Sequence, residues 1–175
     1  MTLHSRVFAW FSTLVLMTLV STHAPPAIAV EKPRVAVDWT DPAQFSEILN
    51  RSAFNQTNPV VWLGEFASTI RRHAPRVLKT GQSLSVTITD VTLAGTVQYG
   101  PGAVGVRVVG SNSPPRIKLR FTLTSADGQV IDNGDRNLSN PGFMSPHFPN
   151  NGDAYQYETR LLTDWMDQEF GRHQK

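Results

Sequence analysis

The clearest pattern of hydrophobic and polar positions lies in residues 82–95, where leucine, valine and isoleucine alternate with hydroxyl side chains. A period of two predicts a β-strand with one face in the core and the other face polar. The alternation assigns Asp90 to the buried face, just before a turn at Ala94-Gly95. The rest of the chain is interpreted around this strand.

Three further stretches predict strands. Residues 32–39 alternate in the same way and predict the first strand, and residues 116–124 predict a longer one. An Asp-Gly turn at 126–129 then joins the latter to residues 130–138, which indicates an antiparallel hairpin. The valine-rich residues 104–109, between segments rich in glycine and proline, predict a short edge strand.

Helical periodicity occurs twice. The first helix is predicted to begin at Asn58 as N-cap with Pro59 in the first turn, and to stop or kink at Pro75. The second is predicted over residues 154–170, where apolar positions recur every three or four residues. A short turn is expected over residues 43–49.

This order of elements predicts an α+β fold. We expect a two-layer sandwich, in which a mostly antiparallel sheet of four to five strands carries both main helices on one face. Each helix has one apolar stripe, and the sheet has one apolar face, so the three surfaces bury one another.

The first 29 residues have a different character. A short basic head precedes an apolar run over residues 7–20, and a polar tail ends in Ala-Ile-Ala. This pattern predicts a Sec-type signal peptide over 1–29, cleaved after Ala29, followed by a single globular domain over 30–175. The alternative is a membrane anchor, but the run is shorter than the ~20 apolar residues that a spanning helix needs. We therefore expect a periplasmic or secreted bacterial protein without a membrane span after cleavage.

Composition narrows the class of protein. There are 16 Lys and Arg against 14 Asp and Glu, without a basic stripe, which argues against nucleic-acid binding. The sequence has no cysteine, which excludes thiol catalysis, cysteine-ligated zinc and a lipoprotein anchor. An exported protein without disulfides fits a bacterial periplasm better than an animal extracellular space.

Four polar side chains form the candidate ligand-binding set. Asp38 and Asp41 lie at the end of the first predicted strand, Asp90 ends the second, and Arg116 begins a later strand. If the first two strands are neighbours, the carboxylates come together, which suits acid–base chemistry or a divalent cation. In the alternative, Asp41 caps a turn, and Asp90 accepts backbone N–H bonds or pairs with Arg116.

Recognisable catalytic motifs are missing from the sequence. No histidine pair has metal-binding spacing, and neither a nucleophile elbow nor a phosphate loop occurs. We therefore assign no catalytic residue, cofactor or metal. The loop 139–153 carries a candidate partner patch, which in the alternative folds back over the sheet; its members are Phe143, Met144, His147 and Phe148.

Four short motifs also resemble those of a known family, in order and spacing. They are Val35-Ala36-Val37-Asp38-Trp39-Thr40-Asp41-Pro42, Thr89-Asp90-Val91-Thr92-Leu93-Ala94-Gly95, Pro114-Pro115-Arg116-Ile117 and Tyr157-Glu158-Thr159-Arg160-Leu161-Leu162-Thr163-Asp164-Trp165. Together they resemble the bacterial secreted family catalogued as domain of unknown function 3016, over about residues 35–170. The resemblance implies an exported protein with a signal peptide, and it implies no activity.

These observations favour a non-enzymatic module that binds a protein or another component of the bacterial envelope. The alternative is a small-ligand-binding protein or a hydrolase that uses Asp38, Asp41, Asp90 and Arg116. The sequence identifies neither the ligand nor the partner.

Overall fold

The computed structural model describes residues 33–50, 58–100, 105–145 and 152–171. The predicted signal peptide lies outside these residues. The elements in chain order are β1 (Arg34–Trp39), a 3-10 turn (Pro42–Gln44), α1 (Ser46–Leu49), α2 (Pro59–Val77), β2 (Ser83–Thr92), β3 (Thr96–Gln98), β4 (Val106–Val108), β5 (Arg116–Thr124), β6 (Val130–Ser139) and α3 (Gln156–Phe170).

The main sheet has four strands in the order β1-β2-β5-β6. β5 is antiparallel to both β2 and β6, whereas β1 is parallel to β2. A parallel pair needs a long crossover connection, and α2 lies within the segment that joins β1 to β2. The predicted α+β fold with a mostly antiparallel sheet is therefore confirmed.

The core lies between one face of this sheet and the two main helices. Val86 of β2 and Phe121 of β5 are almost completely buried, and Trp62 of α2 is fully buried. Trp165 of α3 packs edge-on against Phe121, with ring centroids 5.8 Å apart. Each large side chain buried here contributes about 1.5–3 kcal/mol through removal of apolar surface from water. The opposite face of β2 and β5 carries hydroxyl and charged side chains.

The helix α2 begins as the sequence predicts and ends later than expected. Asn58 caps it, accepting a hydrogen bond from the Val60 N–H at 3.0 Å, and Pro59 lies in the first turn. Pro75 does not stop the helix, which continues to Val77. Because Pro75 lies in the last turn, the missing N–H affects only one intrahelical bond near the end.

A β-bulge corrects the predicted orientation of Asp90. The register of β2 against β5 shifts between Ile88 and Asp90, so that Asp90 lies opposite Lys118 and Val91 lies opposite Ile117. Val91 is fully buried and takes the core position. The prediction that Asp90 continues the buried alternation is therefore wrong, because one extra residue reverses the parity of the strand.

The predicted edge strand at 104–109 also needs correction. Val106–Val108 does form a strand, but it pairs with β3 as a separate antiparallel hairpin and does not extend the main sheet. Gly95, with φ +81°, lies in the turn that joins β2 to β3. A Cβ at this position would lie 2.5 Å from the backbone oxygen of Val108. Only glycine therefore fits both the conformation and the close approach of the two chain segments.

Candidate functional site

The four residues predicted as a ligand-binding set are dispersed along the chain's elements. Asp41 caps the 3-10 turn by accepting the Ala43 N–H at 3.0 Å. Asp38 is exposed on β1, and Arg116 is exposed at the start of β5, opposite Thr92. In the described part of the chain, no hydrogen bond or ion pair joins any two of the four. A shared ligand site built from them stays a prediction.

Asp90 is held by groups of the protein itself. Its carboxylate accepts the Ser46 N–H at 2.7 Å and the Ser46 hydroxyl at 2.9 Å, and it pairs with the Lys118 Nζ at 3.0 Å. Partial burial acts to raise the pKa of Asp90, but the bonds from Ser46 and the Lys118 charge outweigh it and lower the pKa below 3.8. Asp90 therefore connects β2 to α1 and β5 as a carboxylate.

Two buried glutamates, which sequence reasoning missed, bind the turn that follows β2. Glu47 of α1 accepts the Leu93 N–H at 2.8 Å, and Glu158 of α3 accepts the Ala94 N–H at 2.6 Å. The two residues are 5% and 2% exposed. A signal for Glu158 does exist in the sequence, because it lies three and four residues before Leu161 and Leu162 on the apolar stripe of α3.

Arg107 of β4 completes this buried cluster. Its Nη1 donates to the backbone oxygens of Ala94 and Gly95 at 2.7 and 3.3 Å, and its Nη2 pairs with Glu47. Burial raises the pKa of Glu158, against the opposing effects of the Ala94 N–H and Arg107. Burial likewise lowers the pKa of Arg107. These contacts hold the β3–β4 hairpin against α1 and α3. Glu47, Arg107 and Glu158 do not line either of the two cavities of the described structure.

A cleft of about 670 Å³ lies between α2 and the beginning of α3; we call it the α2–α3 cleft. Positions spaced by four and three residues on α2 form one wall, and the first two turns of α3 form the other. The lining residues are Val61, Glu65, Thr69, Arg72, Phe143, Asp153, Ala154, Tyr155, Gln156, Tyr157, Thr159, Arg160 and Thr163.

The polar side chains of the cleft are fixed by internal hydrogen bonds. Arg72 donates to Ser68 Oγ at 2.8 Å, and to Glu65 Oε1 and Thr69 Oγ1 at 3.1 Å each. The hydroxyl of Thr159 donates to the Gln156 carbonyl at 3.2 Å. Because the hydroxyl proton of Thr159 binds this carbonyl, the Thr159 Oγ1 can only accept a hydrogen bond from a ligand.

The predicted partner patch partly adjoins this cleft. Phe143 is buried, and its ring packs edge-on against Tyr157 with centroids 4.9 Å apart. Met144, the next residue, is 44% exposed. His147 and Phe148 lie outside the described residues. Phe143 thus contributes to the wall of the cleft, and Met144 remains accessible beside it.

A second cavity of about 730 Å³ lies between β6 and α3; we call it the β6–α3 groove. Its lining residues are Arg136, Asn137, Leu138, Ser139, Asn140, Leu161, Asp164, Trp165, Gln168 and Glu169. The Arg136 guanidinium binds Glu169 through two hydrogen bonds of 2.8 and 2.6 Å and lies 4.8 Å from the centroid of the Phe121 ring.

The described ranges contain no group of three or more histidine or acidic side chains placed to hold a metal ion. They also contain no helix with the length and apolar character required to cross a membrane.

Comparison with known proteins identifies the family of this chain and a weak structural similarity to solved structures. No curated protein matches the chain. Among solved structures, the PelC dodecamer from Paraburkholderia phytofirmans is 13% identical, with a TM-score of 0.34, and 81% of this chain aligns with 91% of that chain. A point variant of that dodecamer is 14% identical, with a TM-score of 0.30 and coverage of 81% and 88%.

At these TM-scores the likeness carries no argument about assembly or activity. A family model described as protein of unknown function (DUF3016) matches residues 33–168. This range includes all six strands, α1 and α2, and all of α3 except its last two residues. The chain therefore belongs to the DUF3016 family of proteins of unknown function.

Proposed function

We propose that this protein is an exported component of the bacterial envelope and acts as a binding module through the α2–α3 cleft. The signal-peptide pattern of residues 1–29 supports export, and the cleft supports binding. The observation that carries the proposal is the combination of a cleft volume of about 670 Å³ with a lining of fixed polar and aromatic side chains.

The size and lining of the cleft suit a ligand. Binding sites for small molecules and short segments are concave, occupy roughly 300–1,000 Å³ and contain a few well-placed polar groups. Arg72 has three side-chain acceptors within its own helix, which restrict its guanidinium before a ligand arrives although 64% of the side chain is exposed. Less conformational entropy is then lost when a ligand binds.

The alternative function is a hydrolase or small-ligand site built on Asp38, Asp41, Asp90 and Arg116. Asp41 and Asp90 already bind backbone N–H groups of the protein, at Ala43 and Ser46. A carboxylate in this role stabilises the fold and is poorly placed to accept a substrate proton. The contacts therefore favour a binding module over the hydrolase.

Site-specific photocrosslinking in living bacteria tests the proposed function. A photoreactive amino acid at position 65, in the cleft, should give a discrete crosslinked product with an envelope component. The same amino acid at position 127, in the β5–β6 turn, is the control and should not give that product. Thr163→Trp, which fills the cleft, should abolish the product in a protein that still unfolds at the normal temperature. Equal crosslinking from both positions, or none from position 65, would contradict the proposal.

A further inference from the structure

The strand β6 forms one open edge of the main sheet. It is ten residues long and pairs only with β5. Within the described ranges, no backbone hydrogen bond from another segment reaches its outer edge. An edge strand of this kind presents a row of unpaired N–H and C=O groups, which another extended chain can pair with. The opposite edge, β1, has only six residues, and Arg71 Nη2 contacts the Val37 oxygen there at 3.5 Å.

The β6–α3 groove runs beside this open edge. Leu138 is partly buried and supplies apolar surface, Leu161 and Trp165 form the apolar floor with 7% and 5% exposure, and Asn137 and Gln168 supply amide groups. A strand edge with a helix alongside is a recurring geometry for recognition of extended peptides. Backbone hydrogen bonds to the strand give affinity, and every second side chain of the peptide contacts the helix.

Asp164 gives the groove a charge preference. Its carboxylate is half-buried in the groove wall and has no hydrogen-bond partner among the described residues. Arg160 and Asp167 of α3 and His73 of α2 act on it only through space. The other acidic residue of the groove, Glu169, is bound to Arg136. A basic side chain that enters the groove would therefore meet, at Asp164, a carboxylate to which no described residue donates a hydrogen bond and which Arg160 and His73 attract only through space.

We propose that the β6–α3 groove binds an extended segment of a partner protein. This segment adds a strand beside β6 and places a lysine or arginine next to Asp164. A second copy of β6 is a poor occupant, because its only cation, Arg136, is already bound to Glu169. The inward charges Asp132 and Arg136 disfavour unspecific pairing of this edge, so that only a matched segment is accepted.

Peptide selection tests this proposal. The displayed library holds random peptides about ten residues long, because this length can pair along the whole of β6. Peptides enriched on the purified protein should show alternating apolar positions and a lysine or arginine. Bound peptide should slow amide hydrogen exchange in residues 132–139 at least tenfold. Asp164→Lys should weaken binding of the basic peptides at least tenfold and shift selection towards acidic ones.

Glu65→Lys is the matched control, because it makes the same charge reversal in the α2–α3 cleft. It should leave peptide binding unchanged, which separates this proposal from the proposed function. Failure to enrich any peptide, peptide binding that does not respond to Asp164→Lys, or protection confined to β1 would overturn the proposal. Concentration-dependent dimers that protect β6 without peptide would also overturn it, in favour of a second copy as the occupant.

Discussion

The Ala94 N–H donates a hydrogen bond to the buried Glu158 Oε1 at 2.6 Å, across 64 residues of sequence. The adjacent Leu93 N–H makes the equivalent bond to Glu47. Two consecutive backbone donors, which leave the sheet at the end of β2, are thus satisfied by carboxylates from two helices. The turn that starts the β3–β4 hairpin is fixed in place by these bonds and by Arg107.

Glu158→Gln should not destabilise the protein at neutral pH. Burial raises the folded-state pKa of Glu158 above its ordinary value of 4.5. The protonated form therefore contributes stability that is fully present below the unfolded-state pKa. This stability is lost as pH rises through the folded-state pKa, where the buried group ionises. Glutamine keeps an acceptor for Ala94 without a charge. Urea unfolding from pH 4.5 to 8 should show the parent losing stability relative to the variant as pH rises.

Glu158→Ala is the control for this prediction. It leaves the Ala94 N–H without an acceptor and should lower the free energy of unfolding by about 1–3 kcal/mol. A loss of similar size in Glu158→Gln at neutral pH would contradict the pKa argument.

Asp90→Ala should lower the free energy of unfolding by about 0.5–2 kcal/mol, because the Ser46 N–H at the start of α1 loses its acceptor. The pKa of Asp90 is depressed, so this contribution is present above the unfolded-state value of 3.8 and lost as pH falls through the folded-state value. Asp135→Ala, which removes an exposed partner of Arg120, is the control and should change stability by less than ~1 kcal/mol. Normal thermal stability of Asp90→Ala would refute a structural Asp90.

Gly95→Ala should destabilise the protein more than Gly128→Ala. Both glycines have positive φ, +81° and +84°. A Cβ at Gly128 meets no atom within 4 Å, so this variant should lose only about 1–2 kcal/mol from backbone strain. A Cβ at Gly95 clashes in addition with the backbone of Val108. Equal unfolding free energies in guanidinium titrations of the two variants would show that the hairpin does not contact Gly95 so closely.

Arg107→Met should release the β3–β4 hairpin and destabilise the fold by roughly 3 kcal/mol, because Glu47 then loses its buried counter-ion. Hydrogen exchange should accelerate at residues 96–98 and 106–108 more than in the main sheet. Adding Glu47→Gln should recover part of the loss, since a neutral amide replaces the buried carboxylate that has lost the Arg107 charge. No recovery in the double variant would mean that Glu47 does not carry that charge in the folded protein.

The mature protein should begin at Val30 when it is produced in a bacterium. The A-x-A pattern predicts a cut after Ala29, and intact-mass analysis of a periplasmic or secreted fraction measures this directly. Ala29→Asp, which puts a large charged residue at the cleavage site, should leave the precursor uncut. A full-length chain in the cytoplasmic fraction would contradict export.

Much of the fold follows from local sequence patterns. The alternation of β2 and β5, the hairpin turn before β6, and the cap at Asn58 were all predicted, because each depends on residues that are neighbours in sequence. The apolar stripes of α2 and α3 likewise predicted that both helices cover one face of the sheet. These features required only the periods of 2 and 3.6 residues.

The tertiary structure decided where the polar groups lie. The bulge before Asp90 reversed which face of β2 its side chain lies on. Glu47 binds Leu93, 46 positions away in sequence, and Glu158 binds Ala94, 64 positions away. Neither depends on a local period. A buried carboxylate requires a donor, but only the folded chain specifies which distant backbone N–H supplies it, because that choice follows from how the helices pack across the sheet.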